Sequence, residues 1–196
     1  MTESASDLFL HSHAFWESQN LGKGTRVCSF THILPYARLG QDCNICDQVF
    51  IDNVIIGDRE TIKYGVQIWH GVEIEDEVFS QNVTFTNDRF PRSKVYQDTF
   101  LNAIIRKGAS LGANATILRG VTADSNAMVG AGAVVTRSVS PNAMVVGNPA
   151  KTIGYVNAQP SCASNVIVSP KAHTVSGCSV PLFSRRRIAD VCIPLL

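Results

Sequence analysis

Charge of one sign is missing from this sequence. Its 17 Lys and Arg are matched by 16 Asp and Glu, leaving a net charge of +1. No basic stripe points to nucleic acid, and no acidic run points to a solvated tail. Residues 1–10 contain Glu3 and Asp7 and lack a charged start followed by an apolar stretch, so neither a signal peptide nor a membrane span is expected. Metal-binding spacing is also lacking. Cys43 and Cys46 form a lone C-x-x-C, with no second pair or His cluster to complete a tetrahedral zinc site. No metal is expected, and six scattered cysteines suit reduced thiols in the cytoplasm. His11 and His13 have no evident partners and read as surface residues. There is no G-x-S-x-G and no Cys–His pairing to support a covalent acyl-enzyme.

What the sequence does have is a period of six. Leu21, Val27, Ile33, Leu39, Ile45 and Ile51 form one run. Ile56, Ile62, Ile68 and Ile74 form a second, and Ile105, Leu111, Ile117, Ala123, Val129 and Val135 a third. Four residues after each anchor the side chain is usually small or β-branched, as at Thr25, Ala37, Cys43, Ala109, Ala115 and Ala127. Six fits neither helix nor flat strand. It is the mark of a hexapeptide β-solenoid, in which short parallel strands form the sides of a coil. The expected fold is therefore all-β, with residues 1–20 as a lead-in or cap, 21–157 as the solenoid, and a non-repeat tail over 158–196. About eighteen hexapeptides at three per coil predict about six coils and a prism about 30 Å long.

The period breaks in three places. Ile51 to Ile56 is one residue short, Ser80 stands where an anchor is due, and 87–102 (NDRFPRSKVYQDTFLN) carries no repeat. A projecting loop on a rigid scaffold is where function gathers. In the tail, Arg185, Arg186 and Arg187 read as a solvated patch.

The strings SFTHILPYARLG, NAMVGAGAVVTRSV and VVGNPAKTIGYV resemble the left-handed β-helix acyltransferases. Within them, TFTNDRFPRSK is similar to the enzymes that N-acetylate nucleotide-linked 3-amino sugars. The resemblance covers about 21–156. It implies a left-handed parallel β-helix, acetyl-CoA as donor, a nucleotide-linked amino sugar as acceptor (dTDP ahead of UDP), and a homotrimer with active sites between subunits. Asn87, in the family's FTN motif, would orient the reacting amine. Asp88 would take a proton or fix sugar hydroxyls, and His70 would be a base, although the family commonly has Asp there (WDG, against Trp69-His70-Gly71 here). His32, Tyr36, Phe85 and Arg92 would bind the nucleotide-sugar. Gly130, Ala131, Gly132 and Ala133 would let pantetheine approach the backbone. Asn148 and Lys151, in NPAK, would lie near the adenosine end, with Arg119 and Arg137 as further phosphate partners. In the tail, HTVSGCSVPLF resembles the start of a cupin-type sugar ketoisomerase domain but is too short to form one, so 158–196 is read as a remnant of a fused domain or as disordered.

Two strings, FIDNVIIG and VFSQNVTF, are each one residue shorter than the family pattern. A one-residue slip reverses which side chains of a strand face inward, so the deletion in VFSQNVTF, a few residues before Asn87, is expected to disturb that site. Two other readings stay open. One is O-acetylation of a sugar or antibiotic on the same scaffold. The other is a scaffold that binds nucleotide-sugar without turnover.

Overall fold

The computed structural model describes residues 8–88, 91–95 and 101–156. The chain divides into two compact units, 1–159 and 160–196, and the described residues belong to the first. Expectations for the tail lie outside the described residues.

The first unit is a parallel β-solenoid with three faces. Nearly every strand is two residues long: the first points outward and the second, the anchor of the hexapeptide, points in. The first face stacks Phe9–Leu10, Arg26–Val27, Asn44–Ile45, Thr61–Ile62, Phe79–Ser80, Ser110–Leu111, Met128–Val129 and Ala143–Val146. It closes on Lys151–Tyr155, which pairs antiparallel with Ala143–Val146. The second face runs from Phe15–Trp16 to Val134–Val135, and the third from Asn20–Leu21 to Thr122–Ala123. The second face holds seven strands, so the described residues make seven turns, not six. The added turn comes from the segment before Leu21. Its strands Phe9–Leu10 and Phe15–Trp16 already pair with Arg26–Val27 and His32–Ile33. The lead-in is thus a turn in its own right, with anchors Leu10 and Trp16 that stand off the six-residue frame starting at Leu21.

The interior follows from the period. Val27, Ile33, Ile45, Ile51, Ile62, Ile68, Ile105, Leu111 and Ile117 are buried, as are the small corner residues Ala37, Cys43, Ala109, Ala115 and Ala127. At the corners, successive turns add positive-φ residues in register, among them Asp42, Arg59, Glu77, Gly108, Asn126 and Asn142 along one edge.

The two deletions do not reverse any strand. Ile55 pairs with Arg38 and Glu73, while Ile56 pairs with Leu39 and Ile74. Thr84 and Phe85 likewise pair with Thr116 and Ile117. Each missing residue is taken from a corner. Val54 and Val83, which sit one residue early, still point inside. The shortened corner at Asp52-Asn53 is braced by the Asp52 carboxylate. Its Oδ1 accepts from the Asn53 amide at 2.6 Å, and its Oδ2 accepts from the His70 amide of the next turn at 3.2 Å. Ser80 keeps the anchor position, pairing with Ile62 and Leu111. Phe85 is the following anchor and is only 1% exposed. Its ring fills the coil interior, so it does not face a ligand, and the substrate-binding role expected for it is corrected here.

One interior residue breaks the apolar rule. Glu60 occupies a small corner position yet is 1% exposed. Its Oε1 accepts from the Val78 amide at 3.0 Å, as Thr25 Oγ1, two turns earlier on the same edge, accepts from the Cys43 amide at 3.1 Å. Both satisfy a corner amide of the next turn. Glu60 Oε2 makes no hydrogen bond, and burial pushes the carboxyl up from 4.5 to about 8, with the Asp76 and Glu77 charges adding to the rise.

Two outcomes follow from this interior. The folded chain holds the Glu60 proton between pH 4.5 and about 8, whereas the unfolded chain releases it. Stability from this group is therefore full below pH 4.5, falls as pH rises through that window, and levels off above about 8. Glu60→Gln keeps an acceptor for Val78 and removes this dependence, and thermal melts of both proteins from pH 5 to pH 9 will show a flatter profile for the variant. Phe85→Ala empties a core position and costs about 3–5 kcal/mol in urea unfolding; a cost near zero would mean that the ring is not core.

Candidate active site

The second and third faces meet along an edge that carries one corner from each turn. Tyr36, Asp52, Trp69-His70, Asn87-Asp88, Arg119 and Arg137 follow one another along it. Adjacent corners are about 4.8 Å apart, the spacing of stacked strands. Residues scattered over a hundred positions of sequence thus line up because each turn returns to the same edge.

The loop leaves from this edge. Thr86 is the last residue before it that stays in the ladder, donating its amide to Ile117 O at 3.0 Å. Its hydroxyl accepts from the Arg119 amide at 3.3 Å. Asn87 and Asp88 come next and are half-buried. The chain returns at Asn102, whose side chain donates to Glu73 Oε1 at 2.9 Å, and at Ala103, whose amide donates to Gly71 O at 2.9 Å. Leu101 lies over Gly120, where an added Cβ would sit 3.3 Å from Leu101 Cδ1. Between the loop and the last two turns is a cleft of about 460 Å³, lined by Thr86, Asp88, Leu101, Arg119, Arg137 and Ser138 among others.

The structure therefore brings Tyr36, His70, Asn87, Asp88, Arg119 and Arg137 to one edge. His70 is exposed one turn before Asn87, and its backbone is held by Asp52. Arg92 is exposed and donates to Pro91 O at 3.0 Å; residues 89–90 and 96–100 of the loop lie outside the described residues. His32 is on the second face beside this edge, with Nε2 3.2 Å from Glu17 Oε1.

Gly130, Ala131, Gly132 and Ala133 lie elsewhere, at the corner between the first and second faces in the last turn. Ala133 is an interior residue. Two of these positions have reasons to be glycine, one of packing and one of backbone conformation. A Cβ on Gly130 would meet Val146 Cγ1 at 2.6 Å, and Gly132 has φ +67°. Asn148 and Lys151 are exposed in the neighbouring closing turn, which is tied to the second face by Ala150 N donating to Val134 O at 2.8 Å.

Sequence reasoning missed Asp52, Leu101, Ser138 and Glu60. Asp52 had a signal, since a corner that loses a residue needs a substitute hydrogen bond. Leu101 and Ser138 had none, because the cleft exists only where loop and turns overlap. Among the described residues no group of three or more His, Cys, Asp or Glu is placed to hold a metal, and no helix is long and apolar enough to cross a membrane.

No family model matches the chain. The dTDP-3-amino-3,6-dideoxy-α-D-galactopyranose 3-N-acetyltransferase of Aneurinibacillus thermoaerophilus is 51% identical over 158 residues, covering 80% of this chain and 82% of that enzyme. A putative serine acetyltransferase of Schizosaccharomyces pombe is 30% identical over 157 residues, 78% of this chain, which spans 51% of that relative. Among solved structures, a hexapeptide-repeat acetyltransferase of Vibrio cholerae complexed with acetyl-CoA has the same fold, with TM-score 0.52 and 24% identity over 69% of this chain and 70% of that one. The even six-residue interior, the loop leaving one edge and the high identity to an enzyme matched over most of its length together establish that the chain belongs to the hexapeptide-repeat acyltransferases of the left-handed β-helix.

Proposed function

We propose that the protein transfers an acetyl group from acetyl-CoA to the 3-amino group of a dTDP-linked amino-deoxyhexose, in the cytoplasm and as a homotrimer. The observation that carries this is the 51% identity to a dTDP-3-amino-sugar N-acetyltransferase, whose matched span of 158 residues is long enough to include the loop edge. The bound acetyl-CoA of the Vibrio cholerae structure fits the same donor.

The chemistry asks little of the protein. A neutral sugar amine attacks the thioester carbonyl, the C–N bond forms, and the tetrahedral oxyanion collapses with breakage of the C–S bond. The amine's proton leaves in the same sequence and ends on the departing thiolate. Holding the amine against the thioester supplies much of the acceleration, since effective molarity is worth up to about 7–11 kcal/mol. Asn87 suits the positioning task, because one amide both donates and accepts. Asp88, on the cleft wall, would hold sugar hydroxyls or receive the proton in transit. No acyl-enzyme is required.

The two residue sets of this reading lie on different edges of one prism. Asn87 and Asp88 are at the junction of the second and third faces, while Gly130 to Ala133 are at the junction of the first and second. A second copy laid alongside would bring one edge to the other, which is the support for sites between subunits in a trimer.

Thiol release from acetyl-CoA, measured against a panel of dTDP- and UDP-linked amino sugars, tests the activity; silence across the panel would sink it. Asn87→Ala is expected to lower kcat by more than about tenfold while sedimentation still gives a trimer, and an unchanged kcat would remove Asn87 from the mechanism. Lys151→Ala is expected to raise KM for acetyl-CoA by about tenfold, the scale of one lost charged hydrogen bond, and leave KM for the sugar where it was.

A further inference from the structure

The outward side of the second face is not uniform along the solenoid. Its first three turns present rings in register: Phe15 beside His32, and His32 beside Phe50. Their centroids are 4.8 Å and 5.7 Å apart. In the fourth turn Trp69, just past its anchor, leans back onto Phe50 at 4.8 Å and 48°. Beyond that the same column is Gln67, Thr84, Thr116 and Val134, with no ring. The strip therefore ends one turn before Asn87 and on the same side of the prism. Phe15 is 59% exposed and Trp69 37%, while His32 and Phe50 between them are half-buried. His32 is held at its far end by Glu17.

Rings serving only to fasten turns together would have no reason to stop at the turn before the reacting loop. The order along the face is rings, then the short polar side chains Gln67 and Thr84, then Asn87. A nucleotide-linked sugar has the same order of chemistry: a flat base at one end, polar linkage groups between, and the reacting sugar at the other. Three turns separate His32 from the Asn87 corner, about 14 Å at the spacing of stacked strands.

We infer that Trp69, Phe50 and His32 form the stacking surface for the nucleobase of the acceptor. This rests on the acceptor being nucleotide-linked, as proposed above. Every base has a π-face, so the strip gives affinity while specificity comes from polar contacts at the sugar end.

Calorimetric titration of the full chain with thymidine diphosphate, with inorganic pyrophosphate and with acetyl-CoA tests this. Trp69→Leu is expected to weaken thymidine diphosphate by about tenfold, the lower range for one lost base–ring stack. Pyrophosphate and acetyl-CoA should bind as before, and the loss during turnover should fall on KM for the sugar. Trp69→Phe, which keeps a ring, should recover most of the affinity, and Phe50→Leu supplies an independent loss should Trp69→Leu melt near room temperature. Equal thymidine diphosphate affinity in wild type, Trp69→Leu and Phe50→Leu would overturn the stacking surface while leaving the acetyltransferase reading intact if wild type still turns over. Loss of the trimer in the variants would also overturn it, by making the strip a subunit contact. A wild type that neither binds the nucleotide nor acetylates any nucleotide-linked sugar would overturn both.

Discussion

The hydrogen bonds between successive turns are what the rest of this structure depends on. A two-residue strand has no partner within its own turn, so its amides and carbonyls are satisfied only by the strands before and after it. Each turn is therefore a template for the next, as the series Arg26 N to Cys43 O, Asn44 N to Glu60 O and Thr61 N to Val78 O illustrates. Stacking on a template forces every interior position into a column. A polar intruder such as Glu60 survives in its column because it accepts the corner amide that Thr25 accepts elsewhere, and because it carries a proton at neutral pH.

This template also explains what could be read from the sequence. The anchors were legible because a column of Ile, Leu and Val repeats at fixed spacing, and those anchors are the observed core. The seventh turn is not legible, because Trp16 stands five residues before Leu21 and not six, which puts both Leu10 and Trp16 off the frame of the aliphatic run. The two short strings are visible as deletions, but the strand reversal expected of them does not occur. A flat sheet has nowhere to absorb a missing residue, whereas a coil has a corner, and Val54 and Val83 show the corner taking the loss. Glu60 was invisible, since a carboxylate at a small position reads as surface until its burial is seen.

The site was legible in a different way. Asn87 and Asp88 stood out by motif, and the loop stood out by its lack of period. Their neighbours on the edge did not, because neighbourhood here is set by which of a turn's three corners a residue occupies and not by sequence distance. His70 and Arg119 are 49 positions apart in the sequence, yet their corners are two turns apart. Phe85 marks the limit of motif reasoning: it sits two residues from Asn87, and the strand geometry still sends its ring into the core.

The shortened corners bear on how such a chain changes over time. Losing a residue at Asp52-Asn53 and gaining a long excursion after Thr86 are the same kind of event on the same edge, differing only in sign and size. Neither propagates, because the next turn is positioned by the strands and not by the length of chain that joins them. Length is thus nearly a free variable at the corners and a fixed one on the faces. A scaffold of this kind can try new loops, and with them new acceptors, while its load of buried residues stays as it was.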